Sequence, residues 1–232
     1  MSEKEKEDKK KESGLSKLIE EQYVKDRKVF LWGGVDDDSA KHVIDRLLYL
    51  DAKDPGKDIT LIINSPGGYV TSGFAVYDAM KSIKSPVSTV CMGLAASMGS
   101  ILLSAGEKGK RFIYPLAKVM IHQPSGGARG QSSDIEIQAN EILKTKQIGA
   151  EILAENCGQK VDKILKDFNR DYWMDADESL KYGIVDKIMK YWFAGANEQY
   201  ERRFRKGALF LLFQGCWAFI LSAVEETDSQ SK

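Results

Sequence analysis

The sequence is poor in cysteine and histidine and has no excess of either charge. Its three cysteines, Cys91, Cys157 and Cys216, are odd in number, far apart and form no Cys-x-x-Cys. That pattern argues against a disulfide frame or a thiolate zinc site, and a reducing compartment is the expectation. No metal site is expected. Lys plus Arg and Asp plus Glu both number 34, so the formal net charge is zero. No basic excess singles out nucleic acid as a partner. The first residues also lack an apolar core, running from Met1-Ser2 through Glu, Lys and Asp to Glu12. A standard secretory signal is therefore not expected, and a cytoplasmic location is.

What is present fits a soluble α/β protein. Of 232 residues, 43% are hydrophobic and 29% charged, enough for a globular core. The chain divides by composition into three parts. Residues 1–14 read as a charged, disordered N-terminal tail. Residues 15–193 carry the folded pattern, and 194–232 form an extension with a basic and then an apolar segment. Residues 208–224 are almost wholly apolar, interrupted by Gln214, Gly215 and Ser222. They fall slightly short of the roughly 20 residues a spanning helix needs. Membrane contact, an interaction helix and a poorly ordered tail all stay open there.

Strand and helix patterns alternate through the folded part. Val29–Trp32 predicts a short strand, and Asp36–Asp38 open a helix with Ala40, Val43, Ile44, Leu47 and Leu48 at helical spacing. Ile59–Ile63 is an uninterrupted apolar strand, expected to be buried on both faces. Asn64-Ser65-Pro66-Gly67-Gly68 breaks it, and a helix from Gly73 to Ile83 follows. Val87–Met92 predicts the next strand, Gly93 a turn and Ser97–Ala105 a helix. Phe112–Tyr114 and Lys118–Ile121 predict further short strands. After the glycine-rich 126–130, a Ser133-x-x-Glu136 capping box opens a long helix with an apolar stripe of Ile135, Ala139, Ile142, Leu143, Ile152 and Leu153. Such series of units argue for an α/β layered fold.

Chemistry concentrates at few positions. Ser97 stands among the small residues of Gly93-Leu94-Ala95-Ala96-Ser97-Met98-Gly99. A serine at a strand-to-helix turn can act as a nucleophile, and it is equally a favoured helix cap. The 64–68 turn exposes backbone N–H groups suited to an oxyanion hole or a phosphate, although no Lys-Ser/Thr pair follows it. Of two histidines, His42 lies in a charged helix pattern, whereas His122 ends an apolar strand before Gln123-Pro124. His122 is the better general base for a serine. Asp167, Asp171, Asp175, Asp177 and Asp186 are all candidate acids. Asp171 opens the apolar Tyr172-Trp173-Met174, where a buried carboxylate would orient a histidine.

Four segments resemble the proteolytic subunit of the Clp protease (the ClpP family): 62–68, 93–100, 119–124 and 170–174, with 176–186 fitting as well. Together they cover about residues 27–190. The resemblance implies stacked ββα units, the ClpP/crotonase-like superfold. It implies Ser97 as nucleophile, His122 as base and Asp171 as the orienting acid, with the N–H groups of Gly68 and Met98 as oxyanion hole. Gly126, Gly127, Gly130 and Gln131 match the strand and turn that pair with substrate. Ile62, Met92, Phe112 and Tyr114 match the docking pockets for an AAA+ unfoldase, and Gln123, Asn169 and Arg170 match ring contacts. The implied assembly is two heptameric rings, homo- or hetero-oligomeric, cutting unfolded polypeptides. The chain itself would need no cofactor, since ATP is used by the unfoldase. Asn169 stands where the family often carries an acid. A subunit active only with a paralogue and a crotonase-like acyl-CoA enzyme are the alternatives.

Overall fold

The computed structural model describes residues 3–190. The extension 194–232, with its apolar stretch 208–224 and Cys216, lies outside the described residues. The elements run α1 (Glu3–Lys25), β1 (Lys28–Trp32), α2 (Asp37–Lys53), β2 (Ile59–Ser65), α3 (Val70–Ser82), β3 (Val87–Ala96), α4 (Met98–Ser104), β4 (Arg111–Ile113) and β5 (Lys118–Ile121). They continue with α5 (Ser132–Cys157), α6 (Val161–Asp167), β6 (Tyr172–Met174), α7 (Ala176–Tyr182) and β7 (Lys187–Ile188).

One mixed sheet organises them. Strands β1-β2-β3-β4-β7 lie side by side and parallel. Parallel neighbours need crossover connections, and α2, α3 and α4 supply the first three. Alternation along the strands sends Val29, Leu31, Leu61, Ile63, Cys91 and Ile113 to one face, each 0–1% exposed. They form a single cluster with Val43, Leu47, Val76 and Leu102 from the helices. Full burial of such side chains contributes about 1.5–3 kcal/mol each, so this face holds the fold. Ile59–Ile63 was expected to be buried on both faces; Ile59, Leu61 and Ile63 are fully buried on one, while on the other Ile62 is 8% exposed and Thr60 only partly buried.

β3 joins two layers. Its first half pairs with β4, Thr89 opposite Arg111, and its second half with β5, Leu94 opposite Lys118. Gly93 was expected to end this strand. Instead its positive φ of 88° bends it, and pairing resumes through Ala96. A Cβ at Gly93 would come within 2.9 Å of Asn64 Oδ1, so the bend is closed to side chains.

Three further expectations change. The charged segment 1–14 was expected as a disordered tail, but from Glu3 onward it is the N-terminal half of α1. Glu and Lys are good helix formers even without an apolar face. Helix α5 starts at Ser132, and the carboxylate of Asp134, not Glu136, accepts from the Gln131 N–H at 3.2 Å. Of its expected stripe only Leu153 is buried, with Ile142 and Ile152 partly so; Ile135, Ala139 and Leu143 are exposed, and the buried end of the helix also uses Gly149, Ala150 and Ala154. The N-terminal half of α5 has outrun the core it would pack on. Finally, Gly126–Gly130, which match a strand in the family, form none. A glycine-rich backbone without a ladder partner gains nothing from extending.

A residue outside all these expectations fixes the start of the sheet. Arg27 adopts φ 56° between α1 and β1. Its guanidinium donates to the carbonyls of Leu50 at 2.9 Å and of Lys57 and Asp58 at 3.0 Å, tying the α1–β1 corner to the α2–β2 loop.

Candidate active site

Three strand ends meet at one edge of the second layer. β5 runs antiparallel to β6, with Met120 opposite Trp173 and Ile121 opposite Tyr172. One step further along the same register, His122 faces Asp171. β3 lies parallel to β5 on its other side, and the Ser97 N–H donates to the Met120 carbonyl at 2.9 Å. Ser97, His122 and Asp171 thus form a row across the ends of β3, β5 and β6. Ser97 Oγ is 2.9 Å from His122 Nε2, and His122 Nδ1 is 3.0 Å from Asp171 Oδ1.

The backbone at Ser97 explains its aim. Ser97 occupies the cap position of α4 but makes no capping hydrogen bond, and its φ is 53°. An L-residue adopts that conformation at a cost of order 1–3 kcal/mol. The sharp corner turns Oγ away from its own helix and toward His122. A hydroxyl with a base within hydrogen-bond reach, itself held by a third group, is the arrangement of nucleophilic catalysis.

The 64–68 turn backs onto this corner. A Cβ on Gly67 would lie 2.6 Å from Ser97 Cβ and 3.0 Å from Met98 N, so only glycine permits the approach. Ser65 Oγ accepts from the Gly67 N–H at 3.1 Å and holds the turn. The bridge to Val35 uses the Gly67 carbonyl and the Tyr69 N–H, not the Gly68 N–H. Met98 supplies the first N–H of α4, which by position has no intrahelical acceptor. Gly68 is also fixed, since a Cβ there would stand 2.2 Å from the Val35 carbonyl oxygen.

The structure separates the candidate acids that the sequence left open. Asp167 accepts from the Tyr182 hydroxyl at 2.9 Å and from Lys163. Asp175 caps α7 through the Glu178 N–H, and Asp177 sits in that helix's first turn. Asp186 is held by Arg111, with distances of 2.6 and 2.9 Å. Only Asp171 reaches the imidazole. It is not buried as expected: its side chain is 59% exposed, because β6 is the last strand on this side and no element among the described residues covers it. His42 lies apart on α2, with Arg46 Nη1 2.9 Å from its Nδ1. Partial burial, then the Arg46 guanidinium, lower the pKa of that ring. Burial pushes the Cys91 and Cys157 thiols up to about 12, so neither is a competing nucleophile.

Other expected residues fall in different places. Gln123 was expected as a ring contact. Within the chain its N–H donates to the Phe168 carbonyl at 2.6 Å and its side-chain amide to the Asn169 carbonyl at 2.9 Å. It therefore ties the strand end bearing His122 to the turn bearing Asp171. Asn169 and Arg170 are exposed beside it and line, with His122, a cleft of about 420 Å³. Gly126 and Gly127 lie on the irregular segment, exposed, and Gly130 and Gln131 lead into α5. Ile62 and Phe112 join Phe30 and Val90 in one register row across β1 to β4, on the face opposite the main core. Met92 lines a separate cleft of about 380 Å³ with Tyr23, Phe30 and Trp32. No local pattern in the sequence sets Tyr23, Phe30 or Trp32 apart. A small apolar pocket beside Ser97 is lined from five separate segments, 70–74, 97–101, 122–124, 145–149 and 168, and leaves no local pattern.

A family model described as Clp protease matches residues 10–191. The chain belongs to the Clp protease family. It is accordingly a ClpP-like peptidase, with the mixed α/β sheet and helices of that fold. In this Clp protease the matched region takes in every element from α2 to β7 and most of α1.

Proposed function

We propose that this chain is the proteolytic subunit of an ATP-dependent serine protease, with Ser97, His122 and Asp171 as its catalytic residues. The observation that carries the reading is the hydrogen-bonded row of 2.9 and 3.0 Å across three strand ends. With Nδ1 protonated and donating to Asp171, His122 Nε2 accepts the proton of Ser97 as Oγ attacks the scissile carbonyl. The N–H groups of Gly68 and Met98 receive the oxyanion of the tetrahedral intermediate. Breakdown breaks the C–N bond, and the amine leaves with the proton from His122. A water activated by the same imidazole then hydrolyses the acyl-serine and returns the enzyme.

Partners and place follow from family likeness. Substrate is an unfolded polypeptide lying extended near 126–131, where backbone pairing makes little demand on sequence. Two heptameric rings enclose the sites, and an AAA+ unfoldase docks on the apolar sheet face around Ile62, Met92, Phe112 and Tyr114. The unfoldase consumes the ATP, and this chain requires no cofactor. The location is cytoplasmic.

The test is hydrolysis of a fluorogenic short peptide by the purified full chain and by Ser97→Ala, with particle mass recorded on the same samples. The expected result is turnover in a tetradecamer that is lost in Ser97→Ala. Turnover retained in Ser97→Ala would remove the serine mechanism. Rings without turnover would point to a subunit that needs a paralogue.

A further inference from the structure

Resting on the peptidase reading, we infer that Ser100 is a positioning residue, whose buried hydroxyl holds the Ser97–Met98 peptide so that the Met98 N–H faces the oxyanion. Ser100 is 1% exposed and lines neither cleft at His122, so it does not meet substrate. It acts through the peptide unit next to the nucleophile.

A trans peptide is planar, and its C=O and N–H point in opposite directions. Whatever pins the carbonyl therefore aims the N–H. Both proposed oxyanion donors belong to such units. The Gly68 N–H shares its unit with the Gly67 carbonyl, which accepts from the Val35 N–H at 2.9 Å. That unit is pinned by a backbone donor. The Met98 N–H shares its unit with the Ser97 carbonyl. This oxygen accepts from the Ser100 hydroxyl at 2.6 Å, from the Ser100 N–H at 3.0 Å and from the Ile101 N–H at 3.3 Å. The shortest of the three bonds comes from a side chain, so the aim of this donor is open to substitution.

The corner needs such a hold. Ser97 has φ 53° and ψ −122°, and ψ is the rotation that directs the Ser97–Met98 unit. The other side of the corner is fixed, because the Ser97 N–H donates to the Met120 carbonyl at 2.9 Å. Relief of the strain falls on the unit that carries the Met98 N–H.

A serine that bonds back to a carbonyl in its own helix is a common local contact. Ser104, one turn further along α4, makes the same bond to the Ile101 carbonyl at 2.8 Å. The difference lies in the far end of the peptide unit. For Ser104 it is an N–H inside the helix; for Ser100 it is the donor beside Ser97. Ser104 is therefore the comparison that separates positioning from helix stability.

The experiment measures kcat and KM of the full chain, of Ser100→Ala and of Ser104→Ala on one fluorogenic peptide. Inhibition by a peptide aldehyde of the same sequence is measured in parallel. The aldehyde carbon bonds reversibly to Ser97 Oγ and places its oxygen where the oxyanion forms. Losing an oxyanion donor outright costs about 10²–10³ in kcat, and a misaimed donor costs less, so Ser100→Ala is expected to lower kcat by about ten-fold. Its KM is expected to stay within about two-fold and its Ki for the aldehyde to rise by about ten-fold, since only the tetrahedral state uses the donor. Ser104→Ala also loses a contact from Asn156 Nδ2 at 3.1 Å, yet its kcat is expected to stay within about two-fold of wild type. An unchanged kcat in Ser100→Ala would overturn the inference and leave the peptidase reading intact. So would equal losses in the two variants, or a change confined to KM. Absence of both turnover and aldehyde binding in the wild-type chain would overturn the peptidase reading, and this inference with it.

Discussion

Ser97 carries a backbone conformation that an L-residue adopts only under constraint, φ 53° and ψ −122°. Glycine relieves that strain and alanine does not. Ser97→Gly is thus expected to raise stability by about 1 kcal/mol relative to Ser97→Ala, both variants having lost more than about 10³-fold in kcat. Paired denaturant melts check it; equal midpoints would mean that the corner is not strained. Gln123 acts one residue away from His122. Its two hydrogen bonds to Phe168 and Asn169 fix the spacing between His122 and Asp171. Gln123→Leu removes the side-chain bond while keeping bulk and the backbone N–H. A fall of about 10-fold or more in kcat is expected, since small misplacements of reacting groups are costly, with KM nearly unchanged. A change confined to KM would assign Gln123 to substrate binding.

At the scale of elements, the short edge strand β7 depends on one ion pair. Arg111 on β4 is 3% exposed and donates to both carboxylate oxygens of Asp186, just before β7, and to the Asn156 carbonyl in α5. Removing the acid leaves a buried guanidinium without its partner, at about 3–5 kcal/mol. Asp186→Ala is expected to lower the unfolding free energy by that amount. The pair also sets an acid limit. Burial works to raise the Asp186 carboxyl, but hydrogen bonds from Arg111 outweigh it and hold the pKa below the ordinary 3.8. A depressed folded pKa gives stability that is present above the unfolded value. That stability is lost as pH falls through the folded value. Below about pH 4 the wild-type midpoint is expected to drop more steeply with pH than that of Asp186→Asn. Parallel slopes would show that Asp186 does not govern the acid limb.

At the scale of the whole molecule, much apolar surface is uncovered among the described residues. Ile137 and Leu143 on α5 are 62% and 61% exposed, and Ile135 and Ile148 over 40%. Four large aliphatic residues exposed around one helix mark a segment that other surfaces cover. The double variant Ile137→Lys, Leu143→Lys is expected to cut particle mass from the proposed tetradecamer to a single ring or smaller. Native mass spectrometry reads this directly, and an unchanged mass would place the ring contacts elsewhere. Asp171 belongs to the same scale, since a 59% exposed side chain gains a drier setting only from a surface beyond the described residues.

Much of this was legible without coordinates, for reasons that differ by feature. Strands β1, β2 and β5 and helices α2 and α3 follow from apolar period and turn residues, which are local signals. Ser97 and His122 stood out because one lies in a run of small residues and the other ends an apolar strand. Choosing Asp171 over four other aspartates rested on resemblance, and the register of β5 on β6 supplied the physical reason. Gly93 was misread because a positive φ bends a strand as readily as it ends one; only the pairing of Leu94–Ala96 with β5 decides between them. The exposed half of α5 was misread because an apolar stripe says that a face will be covered, not by what. The pocket at Phe74, Met98 and Gly149, and the tie made by Gln123, left no trace in the sequence. Periodicity reports which side of an element is apolar. The distance between side chains from separate elements is set by how those elements pack, and here that packing alone placed an oxygen, an imidazole and a carboxylate in line.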